Sequence, residues 1–143
     1  MKFKNKLIPS KFQKRYKRFF TDVESKGKTL ISHCANSGSM LGLLDKDNKA
    51  WISPADNPDR KLKYTLEIIN DKKSNVGVNT HLANRIVEEA IEQRTIKEIK
   101  NYSEYQCEVK FGLHSRFDFE LKNKTKKAFL EVKNVTLSRQ NGI

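Results

Sequence analysis

Cysteine is scarce. The 143 residues hold only Cys34 and Cys107, too few and too far apart for a disulfide framework. A reducing cytoplasm is therefore the expected location. No apolar run approaches the roughly 18 residues of a membrane span. The basic opening Met1–Pro9 has no apolar stretch behind it, so no secretory signal is read there. Zinc chemistry also lacks its pattern. His33 and Cys34 are adjacent and would point to opposite faces if extended, and Cys107 offers no CxxC partner. A structural histidine beside a small buried cysteine is the preferred reading. Gly38 and Gly42 match neither a GxGxxG nor a Walker spacing, so no nucleotide cofactor site is expected. No helix-turn-helix or zinc-finger pattern supplies base-edge readout, and no internal repeat is visible.

Acidic residues are outnumbered. There are 17 of them against 29 lysines and arginines, for a net charge of +12. That excess is the electrostatic footprint of a protein with a polyanionic partner, nucleic acid first and an anionic membrane surface as rival. Lysine-rich composition also follows nucleotide bias in AT-rich genomes. The first 20 residues contain eight basic side chains and no acidic one. Lys14, Arg15, Lys17 and Arg18 surround Tyr16, with Phe19 and Phe20 behind. Either this is a solvated basic face, or the ammonium groups meet phosphates while the rings stack on bases. For Phe19 a core position is the favoured reading.

Hydrophobic content is 36%, enough for a modest core. The length suits one domain or two small ones. From residue 20 to 80 the pattern is short strands broken by turns. Strand candidates are Thr29–His33, Ala50–Ile52 and Val76–Val78, with turn signals at residues 36–39 and 54–58. Leu62, Tyr64, Leu66 and Ile68 alternate with Lys61, Lys63, Thr65 and Glu67, predicting a half-buried strand with a polar face. Such a set suits a small barrel of the OB type, which binds oligonucleotides on one face. Arg60, Lys61 and Lys63 either meet phosphate or simply charge an edge.

The period changes after Thr80. Leu82, Ile86, Val87, Ala90 and Ile91 share one helix face, with Asn79 or Thr80 available as cap and Glu88, Glu89 and Glu92 outside. Three strands are predicted next, at residues 106–111, 116–121 and 128–133. The lysines 122, 124, 126 and 127 read as a mobile hairpin loop. The expected domains are therefore 1–80 and 81–143.

Within the second domain one strand carries Asp118 and the next carries Glu131 and Lys133. Strand side chains alternate, so Glu131 and Lys133 point the same way. If the Asp118 strand lies beside them, two carboxylates and an ammonium converge. A divalent cation relieves the repulsion of two close carboxylates, and a neighbouring lysine can orient or deprotonate water. These are the parts of a metal-assisted phosphodiester hydrolase. A cross-strand salt-bridge cluster is the alternative. Glu108 can add a third carboxylate. Arg116 either pairs with Asp118 or grips a phosphate.

The D…ExK arrangement resembles the PD-(D/E)xK nuclease superfamily. Six stretches in order resemble one family within it, the sugar fermentation stimulation protein A family: residues 15–19, 33–40, 57–64, 76–80, 115–119 and 131–137. The resemblance implies an α+β chain: a small N-terminal OB-like β-barrel followed by a truncated PD-(D/E)xK nuclease-like α/β domain. The family's chains continue past the position of Ile143 with a further helix, strand and tail. It also implies DNA binding. On this reading Asp118, Glu131 and Glu108 are metal ligands for Mg²⁺ or Mn²⁺, with the Val132 carbonyl as a further oxygen. Asp118, Glu131 and Lys133 are catalytic, the lysine's pKa being lowered beside the metal. Lys14, Arg15, Lys17, Arg18, Arg60, Lys61 and Arg116 are the expected nucleic-acid contacts, on DNA or RNA, without a membrane. The alternatives are a Mg²⁺-dependent endonuclease or a regulator of sugar-metabolism genes, although no residue points to a sugar or an operator.

Overall fold

Along residues 8–16 lysines and polar groups flank a single buried ring, Phe12, at 1% exposure. That is the pattern of a strand with one face on a core and one in water. The computed structural model describes residues 1–136. Strand β1 (Ile8–Tyr16) pairs antiparallel with β2 (Phe20–Ser25), and β2 with β3 (Lys28–His33). On its other side β1 pairs antiparallel with β4 (Lys49–Pro54), and β4 with β5 (Tyr64–Asn70). A short parallel contact then closes the ring, Ser32 opposite Tyr64 and His33 opposite Thr65 on β3 and β5. The five strands form an OB-like barrel, as the sequence predicts. A further strand, β6 (Asn75–Gly77), lies outside β5.

The barrel core holds Phe12, Val23, Cys34, Met40, Leu43, Ala50, Ile52, Leu66, Ile69 and Val78. Full burial of each large side chain here contributes about 1.5–3 kcal/mol. Cys34 is inert packing: burial raises its pKa, and its thiol faces the Asn36 carbonyl at 3.6 Å.

Three expectations differ from what is seen. The strands begin at Ile8 rather than near residue 20. Strand β5 is not half polar: Thr65, Leu66 and Glu67 are all buried. Glu67 can be inside because Ser53 Oγ donates to it at 2.6 Å and Asn79 Nδ2 at 2.9 Å; a buried carboxylate needs such partners. Phe19 is not core but 42% exposed.

A second compact unit comprises Met1 and Leu82–Lys133, while residues 134–136 group with the barrel. There Asn36 Nδ2 donates to Thr136 Oγ1 at 2.7 Å. Leu137, the last residue of the 131–137 stretch, lies outside the described residues. The helix α1 (Ala83–Glu92) is preceded by a 3-10 turn, Thr80–Leu82. Its N-cap is Leu82, with no side-chain bond. Asn79 instead accepts from the His81 N–H of the 3-10 turn at 3.2 Å, so neither expected cap serves the helix itself. Strands β7 (Glu104–Phe111), β8 (Ser115–Lys122) and β9 (Lys127–Leu130) form an antiparallel sheet in that order. Phe119 and Leu121 are its buried hydrophobics among the described residues. Rings of Phe111, Phe117 and Phe129 gather on the sheet with centroids 4.8–5.3 Å apart. No helix among the described residues is long and apolar enough to cross a membrane.

Candidate functional site

Strand β8 presents Asp118, and the register of β8 on β9 sets Phe119 opposite Leu130. The next step along that register would place Asp118 beside Glu131. Strand β9 stops at Leu130, however, so Glu131 and Lys133 lie beyond it and not within a strand as predicted. The alternation argument lapses there, yet the two segments stay joined. Asp118 Oδ2 accepts from the Val132 backbone N–H at 2.6 Å, and Oδ1 accepts from Asn84 Nδ2 of α1 at 2.8 Å. Lys133 Nζ donates to Glu131 Oε1 at 2.5 Å.

That pairing acts on the amine. The Lys133 pKa is raised, first by its hydrogen bond to Glu131 and then by that carboxylate's charge, with Asp118 adding. In this pairing the amine is held as a cation. Glu108 also departs from its expected place as a third ligand. It adopts a left-handed backbone (φ 54°) and receives Arg116 Nη1 at 3.2 Å. Arg116 is thereby paired with Glu108 and not with Asp118. Among the described residues no group of three or more His, Cys, Asp or Glu side chains is placed to hold a metal ion. Both Asp118 oxygens accept from N–H donors and Glu131 holds Lys133, so an ion here would have to displace some of these bonds and take most of its ligands from water or phosphate, as Mg²⁺ commonly does.

Sequence reasoning missed a neighbouring cluster. Glu120 is 4% exposed and accepts from Lys122 Nζ at 2.5 Å and Lys127 Nζ at 2.7 Å. Those hydrogen bonds hold its carboxyl below the usual range. Two lysines assigned to a mobile loop are thus tied down. On the same sheet Tyr105 Oη donates to Glu92 at 2.7 Å and reaches Glu88 at 3.3 Å, which raises its pKa. Asn84 was missed too: a lone helical asparagine carries no pattern.

On the barrel the basic residues divide. Arg15 donates to the carbonyls of Arg18 (2.8 Å), Gly38 (2.6 Å) and Asn36 (2.6 Å). Its guanidinium therefore clamps loops rather than awaiting a phosphate. Lys14 lies 3.4 Å from Asp22 and 5.5 Å from the Tyr16 ring centroid. Lys17 and Arg18 are exposed, in left-handed backbone at φ 45° and 63°. Arg60 is half-buried and donates to the Tyr64 carbonyl at 2.9 Å; Lys61 is exposed. Next to them the Phe19 ring stacks on His33, and His33 packs against His81. Asn36 Oδ1 accepts from the Gly38 N–H at 2.8 Å, within its own loop.

Comparison with known proteins agrees with the fold. Residues 14–78 match the family described as SfsA N-terminal OB domain, and residues 81–143 match Sugar fermentation stimulation protein RE domain. The sugar fermentation stimulation protein homolog of Pelagibacter ubique is 49% identical over 140 residues, covering 98% of this chain and 60% of that one. The homolog of a Ruegeria species is 43% identical over 146 residues, covering 100% and 63%. The chain thus spans about 60% of the length of these curated relatives. The solved SfsA of Pyrococcus furiosus, in complex with Ca²⁺, superposes with a TM-score of 0.76 at 22% identity, over 92% of this chain and 55% of that one. At that identity the likeness shows the fold.

Proposed function

The chain belongs to the sugar fermentation stimulation protein family, and on that premise we propose that it binds DNA largely without regard to sequence, through its barrel. One observation carries this reading: a closed OB-like barrel whose β1–β2 turn presents Lys17 and Arg18 to solvent on a chain of net charge +12. Barrels of this type bind oligonucleotides with that face and those loops. Neutralising phosphates releases counterions, so affinity falls steeply with salt and similarly for unrelated sequences. Binding of random duplexes measured between 50 and 200 mM salt tests it. A complex indifferent to salt, or confined to one sequence, overturns it.

A second reading, a metal-dependent phosphodiesterase, is supported by the approach of Asp118 to the Val132 amide with the Glu131–Lys133 pair alongside. In it Asp118 and Glu131 would hold Mg²⁺ or Mn²⁺, which would supply positive charge to a phosphate or to a water. Binding the ion requires Glu131 to give up Lys133. The freed ammonium then orients a phosphate oxygen or a water. Cleavage of DNA that needs Mg²⁺ or Mn²⁺ and disappears in EDTA, in Asp118→Ala and in Glu131→Ala is the expected result; binding without cleavage under both ions removes this reading and leaves the first.

A further inference from the structure

We propose that the barrel carries a base-stacking platform, the rings of Phe19, His33 and His81, and so takes single-stranded DNA in preference to duplex. The inference deepens the DNA-binding reading and rests on it. Three separate segments supply the rings: the β1–β2 turn, the end of β3, and the 3-10 turn after β6. The Phe19 and His33 centroids are 6.2 Å apart with planes 16° from parallel, and those of His33 and His81 are 6.3 Å apart at 35°. Phe19 at one end is 42% exposed, and His81 at the other is exposed. An isolated surface phenylalanine needs no explanation. Two near-parallel rings with a third tilted beside them, exposed at Phe19 and at His81, form a surface on which flat apolar faces can stack.

The surroundings favour a polyanion with bare bases. Lys17 and Arg18 immediately precede Phe19 and are exposed. Arg60 is close enough to His33 to lower its proton affinity, after burial and ahead of His81. A neutral imidazole at neutral pH is a flat uncharged ring. The elements involved, the β1–β2 turn, the end of β3 and the β4–β5 loop with Arg60, are those that OB-type barrels turn toward oligonucleotides. In a duplex the base faces are already stacked on one another. Only unpaired bases can use the rings, while either form can use the cations.

The test uses the full chain, a dye-labelled oligo-dT strand and a random-sequence duplex of equal length, read by fluorescence anisotropy at one salt concentration. The strand is expected to bind more tightly. Phe19→Ala and His81→Ala should each weaken the strand at least about fivefold, the loss of one stacked base. Duplex affinity should stay within about twofold, because its phosphate contacts are unchanged. Phe19→Trp should keep strand affinity, and with His81→Ala it decides the matter if Phe19→Ala does not fold. Tighter binding of the duplex, or strand affinity unmoved by both alanine variants, overturns the platform. Duplex binding that persists in that case leaves the broader DNA-binding reading intact; no binding of either form removes both.

Discussion

Asp118 and Val132 are joined by a 2.6 Å hydrogen bond from the Val132 backbone N–H to Asp118 Oδ2. The bond takes over where the β8–β9 ladder ends at Leu130. A side chain thereby continues the sheet by one step, and its other oxygen receives Asn84 of α1. Asp118 has a structural load whatever its chemistry. Glu131, at 43% side-chain exposure and paired with Lys133 at 73%, has little.

That contrast separates structure from catalysis. Asp118→Ala strands two donors and should destabilise the second unit by about 1–3 kcal/mol, read as faster hydrogen exchange across β7–β9. Glu131→Ala should leave exchange nearly unchanged, because exposed pairs contribute little. If cleavage exists, both variants should lose it. Equal protection in Asp118→Ala and wild type would refute the structural part.

The basic residues of the first hairpin should not behave alike. Removing Lys17 or Arg18 should weaken DNA binding uniformly and reduce the slope of log affinity against log salt by about one per residue. Arg15→Ala should instead lower the melting temperature of the barrel, followed through Trp51, the single tryptophan, because three loop carbonyls lose their donor. A slope change without loss of stability in Arg15→Ala would contradict that division.

Glu120 should make the second unit acid-sensitive. Lys122 and Lys127 hold its folded pKa below the ordinary glutamate value near 4.3. The unfolded chain then takes up the proton more readily than the fold. The stabilisation is therefore present above about pH 4.3 and lost as pH falls through the folded value. Hydrogen-exchange protection of β8 from pH 6 to 3 should show this loss, and Glu120→Gln should flatten it while lowering stability at pH 6.

Cys107 should be a poor nucleophile although the residue is exposed. Shielding and the Glu88 carboxylate 3.4 Å from its sulfur push its pKa up to about 11. At pH 7.5 its alkylation should run ~100-fold or more below that of a free thiol with pKa near 8.5. Glu88→Gln should speed it, with mass spectrometry as the readout. Rapid labelling in the wild type would show that the sulfur does not face Glu88.

Much of the barrel was legible from short apolar runs: Thr29–His33 and Ala50–Ile52 locate β3 and β4, and Val76–Val78 locates β6 beside it. Strand β1 was missed because only Phe12 of its nine residues is fully buried, and lysines mask a period of two. Glu67 misled in the opposite sense. Nothing local tells that Ser53 and Asn79 will satisfy a carboxylate inside the fold. At the candidate site the neighbourhood of the Asp118 strand and the 131–133 segment was legible. The pairing of the side chains was not, because it depends on where β9 ends. The ring row was invisible: Phe19, His33 and His81 are brought together by three turns, and no spacing in the chain announces it.

The parallel seam between β3 and β5 carries a consequence for the nascent chain. Ser32 and His33 must wait for Tyr64 and Thr65, and during synthesis the loop between them has to be extruded first. Until then the opening three-stranded meander stands on the ribosome with one margin unprotected. Its many like charges, whatever they later touch, meanwhile keep neighbouring copies apart.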